Sequence, residues 1–362
     1  MKIATLQFSP RVGDIARNFS MAESLLMREE REGLLQDLDL LVLPELAFSG
    51  YNHPSLSAIA PHLEPTAAGP STRWAARTAK RLKCTVAVGY PEAADGEGNY
   101  NTNFDATITT STKAYNALVF VNCVGDVVAH YRKSFLYYTD ETWALEGPGF
   151  HAGVLPLGQN GSRVKCVAGI CMDINPYRFE APWTAYEFAN HARESRAKLL
   201  VLSMAWLTRL TQEAVQEEAM MPDFDTVGYW IERFKPLVGV DGLEEEVVVV
   251  CANRTGEEGI AERIGEVRYA GSSCVMGLTK GDGEMDGEVR IWDILGRAQE
   301  GIMVIDTGKE PKYRVAKKMT GLDASGEVPG ETDPTDPLEP VLGESVEKTL
   351  DTGGSTEQPT LA

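Results

Sequence analysis

Apolar runs of strand length recur along the chain, and several are separated by stretches with helical spacing. Lys2 to Phe8 reads as a short strand. Asp14 or Asn18 can cap a helix to about Gln36, with Ala22, Leu25, Leu26 and Glu29 at helical spacing. Leu38 to Leu43 is a strand that stops at Pro44-Glu45, and Gly50 to Pro54 is a turn. Ser71 to Lys83 predicts a helix with Trp74, Ala75 and Thr78 inward, and Cys84 to Gly89 a strand. Asn99 to Tyr115 is polar and Thr-rich, a hairpin or a loop. Tyr115 to Val121 and Asp126 to Tyr131 are strands joined by Asn122 to Gly125, and a loop from Arg132-Lys133 runs through Gly149.

In the second half, VKCVAGI climbs from Val164 to Ile170 and stops at Cys171. Met172, Asp173, Asn175 and Pro176 cannot continue a strand, and Ala181 to Lys198 then reads as a helix. Leu199 to Ser203 is a strand, Asp223 to Val238 a helix and Val247 to Ala252 a strand. Ala270 to Leu278 and Val289 to Ile294 are further strands, and Gly301 to Ile305 is the last. Strands alternate with helices in the middle and form hairpins elsewhere. That pattern predicts a layered α/β domain: two packed, partly parallel sheets with helices outside.

After Tyr313 the composition changes to Pro, Gly, Ser, Thr, Asp and Glu. Residues 1–320 are expected to form the folded domain. Residues 321–362 carry ten Asp or Glu against one Lys, so about half of the chain's net charge of −19 is local to this tail. Low hydrophobicity and high charge predict that the tail does not fold by itself. The overall acidity argues against general binding to nucleic acid or anionic membrane. No apolar run reaches the ~18 residues needed to span a bilayer. Met1 leads directly into strand-like sequence, so no secretory signal is expected. The six cysteines are scattered without a C-x-x-C pair, which fits unpaired thiols in a reducing, cytoplasmic setting and no zinc. There is no P-loop, G-x-G-x-x-G or H-E-x-x-H, so neither nucleotide, other cofactor nor metal is inferred.

Three polar residues each end an apolar strand: Glu45 after LLVLP, Lys133 after VVAHYR and Cys171 after VKCVAGI. A strand that ends in a nucleophile and turns sharply into a helix is how α/β hydrolases display a reactive side chain. Singly, each has a plainer reading: a surface acid, a snorkelling lysine, a buried thiol. Together they suggest a carboxylate, an amine and a thiol converging at one edge of the sheets.

These stretches carry a resemblance. LVLPELAFSGY, HYRKSFLYYTDE and GICMDINPYRFEAPW are similar to the glutamate, lysine and cysteine motifs of the nitrilase, or carbon–nitrogen hydrolase, superfamily. The stretch from Ala252 to Gly277 resembles its two late strands and turn. The resemblance implies an α-β-β-α sandwich and a Glu45, Lys133, Cys171 catalytic set. It also suggests a second acid at Glu141, eight residues after Lys133, to orient the lysine or a water. Met172 and the Asn175-Pro176-Tyr177 insertion depart from the common pattern and resemble the fungal branch that deamidates N-terminal Asn and Gln of polypeptides. That implies, as partners, polypeptides with a free N-terminal Asn or Gln, which would enter a degradation pathway that reads N-terminal residues.

The implied chemistry is acyl transfer through a thioester. Glu45 takes the thiol proton, and Lys133 with the Met172 backbone N–H stabilises the oxyanion. Asp173 is expected to cap the turn that follows it. Asp140, Asp173 and Glu180 are the candidate carboxylates for a substrate α-amine; Tyr51, Trp143 and Tyr177 are candidates to line the pocket, although aromatics near strand ends more often belong to the core. Rival readings are a superfamily member acting on free small amides, nitriles or carbamoyl amines, and a Cys-His hydrolase using one of five histidines. Others are a Ser-Ser-Lys amidase at Ala270 to Ser273 and an inactive scaffold that binds partners through its tail. The tetrad at Ala270 sits in a strand-like run and reads as structural, and the intact Glu45, Lys133 and Cys171 argue against a scaffold.

Overall fold

A computed structural model describes residues 1–94, 113–238, 243–280 and 285–318. The predicted tail, 321–362, and the Thr-rich stretch up to residue 112 lie outside the described residues. Two seven-stranded mixed sheets pack together with helices on their outer faces. The first runs Gly301–Asp306, Lys2–Gln7, Leu40–Val42, Thr85–Ala94, Lys113–Val121, Val127–Arg132, with Glu64–Pro65 beside Thr85–Ala94. The second runs Tyr313–Lys318, Met285–Ile294, Cys274–Thr279, Val247–Asn253, Leu199–Met204, Ser162–Ile170, His151–Leu157.

Both sheets are parallel at their centres and antiparallel at their edges. Central parallel strands are covered on both faces, which is why Val247–Asn253 is apolar and fully buried along its length. Ile3, Val42, Leu118 and Phe120 of the first sheet join Leu155 and Ala168 of the second in one buried cluster. Outside the first sheet lie the helices Ile15–Arg31 and Pro70–Leu82, which bury Leu25, Leu26, Trp74 and Ala75. Asp14 caps the first of these by accepting from the Arg17 N–H. The helices Glu187–Glu194 and Phe224–Arg233 bring Phe188, Val227 and Trp230 into the cluster of the second sheet.

Several expectations are corrected. The first helix stops at Arg31, and Asn18 lies inside it, donating to the carbonyls of Arg11 and Phe48. The helix expected from Ala181 begins only at Glu187. Pro176 and Pro182 punctuate the stretch before it, and Arg178, Phe179 and Tyr186 take left-handed backbone angles that no α-helix accepts. His151–Leu157, a stretch to which the sequence pattern assigns no element, is the edge strand of a hairpin with Ser162–Ile170. Ala270 to Ser273 is not strand, since Gly271 and Ser272 have φ of 52° and 57°. Tyr313–Lys318 adds a strand after the one expected to be last.

Candidate active site

Glu45 follows the short parallel strand Leu40–Val42 and bridges the sheets. Its N–H donates to the Met204 carbonyl across the sandwich at 3.3 Å, and Ser203 Oγ donates to the Leu43 carbonyl at 3.0 Å. A Cβ on Gly89 would lie 2.8 Å from the Leu46 nitrogen and 2.9 Å from the Glu45 Cα, so only glycine lets this loop lie against its neighbour.

Lys133 follows Val127–Arg132, and its N–H donates to the Asn116 carbonyl at 2.8 Å. Its ammonium is fully buried, 2.6 Å from Glu45 Oε1 and 2.5 Å from Asp140 Oδ2. Tyr51 donates its phenol to Asp140 at 3.1 Å, and its ring lies 5.5 Å from the Lys133 nitrogen. Asn116 donates from Nδ2 to both Glu45 Oε1 (2.6 Å) and Asp140 Oδ1 (2.9 Å). The other oxygen of Glu45 is buried with no hydrogen-bond partner among the described residues.

Cys171 begins a tight turn immediately after Ile170, with φ of 41°. A non-glycine residue held in the left-handed region stores strain, a recurrent feature of functional turns. The turn is held by Asp173. One carboxylate oxygen accepts from the Ser134 and Phe135 N–H groups, the other from the Ile170 N–H and the Tyr131 phenol. The residues after Cys171 are thereby tied to the residues after Lys133. Glu45 and Lys133 are wholly buried, and Cys171 as a residue keeps 8% exposure.

Burial, reinforced by the Glu45 charge, pushes the Cys171 thiol well above its ordinary pKa, so it rests protonated. Burial also lifts Glu45 to about 7, against the Lys133 ammonium that pulls it down. Burial opposes the Lys133 charge, but Asp140 and Glu45 outweigh it and hold the ammonium above its ordinary value. The arrangement is a protonated thiol, a carboxylate poised near neutrality and a fixed positive charge. That is the equipment for attack on an acyl carbon with proton transfer.

Glu141 makes no hydrogen bond to Lys133 among the described residues. It is exposed and pairs with Arg263 at 3.0 Å, while Asp140, one residue earlier, takes Lys133. The backbone after the lysine turns so that Trp143 and Ala144 bond back to the Asp140 carbonyl and the Asp140 side chain points inward. Asp173 caps its turn as expected and does more, since four donors occupy it. Glu180 is exposed. Trp143 packs with Tyr51 and Ala205 in a small buried cluster, and Tyr177 instead bonds Glu146 at the surface. Met172 is buried directly after the thiol.

The rival constellations are not assembled. His53 faces the Ser49 carbonyl at 3.3 Å and His130 lies 3.2 Å from Glu92. The Ser272 and Ser273 hydroxyls donate to the carbonyls of Ala270 and Asn253. The sequence reading does not find Asn116 or Tyr131, and it names Asp140 only as a candidate for the substrate α-amine, not as the partner of Lys133. The signal for Asn116 was a lone amide in the apolar run Ala114 to Val121; Asp140 was masked by the acid beside it. No described helix is long and apolar enough to cross a membrane.

Fold and site together define a hydrolase of carbon–nitrogen bonds in amides. The chain belongs to the carbon–nitrogen hydrolase family, whose sequence pattern matches residues 2–176. It is 31% identical over 319 residues to the protein N-terminal amidase of Schizosaccharomyces pombe, covering 84% of this chain and 98% of the relative. The protein N-terminal amidase of Saccharomyces cerevisiae is 27% identical over 220 residues, 57% of this chain and 45% of that one. In fold, the chain resembles a solved N-terminal amidase with a Gln-Gly peptide, with a TM-score of 0.71 at 20% identity over 84% of this chain and 96% of the other.

Proposed function

We propose that the protein hydrolyses the side-chain amide of N-terminal Asn and Gln in polypeptides, giving Asp and Glu with release of ammonia. The observation that carries the substrate class is the S. pombe N-terminal amidase, matched over 98% of its length. The geometry at Cys171 supports the chemistry. Cys171 Sγ attacks the amide carbon, and its proton passes to Glu45, whose unpartnered oxygen is the one open to receive it. Lys133 and the backbone N–H of Met172 stabilise the oxyanion. Glu45 returns the proton to the departing ammonia, then activates the water that hydrolyses the thioester.

Discrimination against internal Asn and Gln requires recognition of the substrate's α-ammonium. Of the three carboxylates suggested for it, Asp140 and Asp173 already serve internal donors and Glu180 is exposed. All six cysteines are free, which supports action in a reducing cytoplasm. There the product Asp and Glu would present new N-termini to a degradation pathway that reads the first residue.

The test is ammonia release from an Asn-peptide, a Gln-peptide, an N-acetylated Asn-peptide and free glutamine. Turnover of the two free peptides is expected, with the acetylated one slower by on the order of a hundredfold or more. Equal rates on free and acetylated peptides would refute α-amine recognition. Turnover of free glutamine with neither peptide processed would assign the site to small free amides.

A further inference from the structure

Asn116 occupies a position that the catalytic reading leaves without a task. It lies in Lys113–Val121 opposite Lys133, one step beyond the Ala117–Arg132 pair of the antiparallel ladder. Its carbonyl accepts the Lys133 N–H at 2.8 Å. From this backbone pairing both side chains reach the same two carboxylates. Lys133 Nζ meets Glu45 Oε1 and Asp140 Oδ2, and Asn116 Nδ2 meets Glu45 Oε1 and Asp140 Oδ1. The four groups close a ring, and all four are fully buried.

The orientation of the amide follows from its surroundings. Turned over, its oxygen would face two carboxylate oxygens at 2.6 and 2.9 Å, so the nitrogen must point at them. An amide there serves in a way no charged residue could. The ring holds two carboxylates and one ammonium, and a second cation would tie Glu45 down as a permanent anion with no affinity for a proton. A neutral donor steadies the charge while leaving the carboxylate able to accept a proton. With Lys133 and Asn116 both on Oε1, Oε2 is left without a partner among the described residues.

We propose that Asn116 is a positioning residue of the reaction: its amide locks Glu45 by Oε1 against Asp140, so that Oε2 is presented to the Cys171 proton. This rests on Glu45 as the base. The titratable groups that face Glu45 are Lys133, Asp140, Cys171, Tyr269 and Tyr51, and burial holds the Tyr51 phenol well above its ordinary value. Lys133, Cys171 and Tyr269 are all held above their ordinary values, so none of these three titrates on the acid side of neutrality. Asp173, lifted to about 6 by burial, feels the Lys133 charge and makes its hydrogen bonds to Ser134, Phe135, Ile170 and Tyr131 rather than to Asn116, so its titration is common to wild type and variant. The hydrogen bond from Asn116 favours ionised Glu45, and its loss raises the pH at which the base is half-charged.

The experiment is a pH profile of kcat/KM for an Asn-peptide with wild type and Asn116→Leu, beside the pH dependence of Cys171 alkylation by iodoacetamide, followed by peptide mass. Alkylation needs no substrate, so it separates a mistaken substrate from a mistaken role for Asn116. The acid limb in Asn116→Leu is expected to move up by about one pH unit in both assays. With Glu45 half-charged near pH 7 in the wild type, that is roughly a fivefold loss at pH 7, almost fully recovered at pH 9. A limb that stays in place while the rate falls equally at every pH overturns the proposal. Asn116→Ser, which removes the amide without adding apolar bulk, carries the same test if the leucine variant folds poorly, and its limb should also move upward.

Discussion

Asp173 and Ser134 are joined across the site: the carboxylate accepts the Ser134 N–H at 3.0 Å, so the turn that carries the thiol and the loop that carries the ammonium move as one piece. The same carboxylate takes the N–H groups of Phe135 and Ile170. Asp173→Ala strands three backbone donors, those of Ser134 and Ile170 buried and that of Phe135 partly buried, at about 1 kcal/mol each, so roughly 3 kcal/mol in all is expected to be lost. Calorimetry should show Tm lower by roughly 5–10 °C, with activity reduced because Cys171 and Lys133 lose their common anchor. An unchanged Tm would mean that the turn is held elsewhere.

Cys171 and Lys133 should separate catalysis from stability. Cys171→Ala removes the proposed nucleophile and is expected to lower turnover by several orders of magnitude with Tm near wild type. Lys133→Ala leaves Glu45 and Asp140 buried side by side without their cation. Breaking a buried pair in this way costs about 3–5 kcal/mol, so this variant should lose activity and stability together. A Cys171→Ala protein with wild-type activity would sink the mechanism.

Adjacent acids give a sharp contrast. Asp140→Asn weakens the hold on the Lys133 ammonium inside the site, and a misplacement of about 1 Å there costs on the order of a hundredfold in kcat/KM. Glu141→Gln touches only an exposed pair with Arg263, worth about 0–1 kcal/mol, and should leave kcat/KM within about twofold of wild type. The reverse order in steady-state kinetics would return the supporting role to Glu141.

Glu92 sets part of the acid stability. Burial alone would raise its pKa, but hydrogen bonds from His130, Arg132 and Thr66 outweigh this and lower it from 4.5 to about 2. A carboxylate depressed on folding contributes stability that is full above its unfolded pKa and lost as pH falls through the folded one. The Tm difference between wild type and Glu92→Gln should therefore be largest above pH 4.5 and shrink between there and about pH 2. A difference that stays constant across that window would exclude the ion cluster as its source.

The sequence by itself determined most of the sandwich and the positions of its reactive ends. Strands buried on both faces are apolar, so Leu40 to Leu43, Cys166 to Ile170 and Val247 to Ala252 stand out, and a polar residue at the end of such a run is conspicuous. That is why Glu45, Lys133 and Cys171 were legible together, although spacing could not show that the first two touch. Elements whose form depends on neighbours were not. His151–Leu157 is an edge strand because Ser162–Ile170 pairs with it, and the helix after Cys171 starts late because the chain first turns through left-handed residues. Only the tertiary structure decided between Asp140 and Glu141. Two neighbouring acids in a loop look alike in sequence, and the turn that points one at Lys133 and the other at Arg263 is fixed by contacts remote along the chain. Asn116 was hidden for the same physical reason. Its amide has meaning only once two carboxylates from other segments, 71 and 24 residues away in sequence, are folded against it.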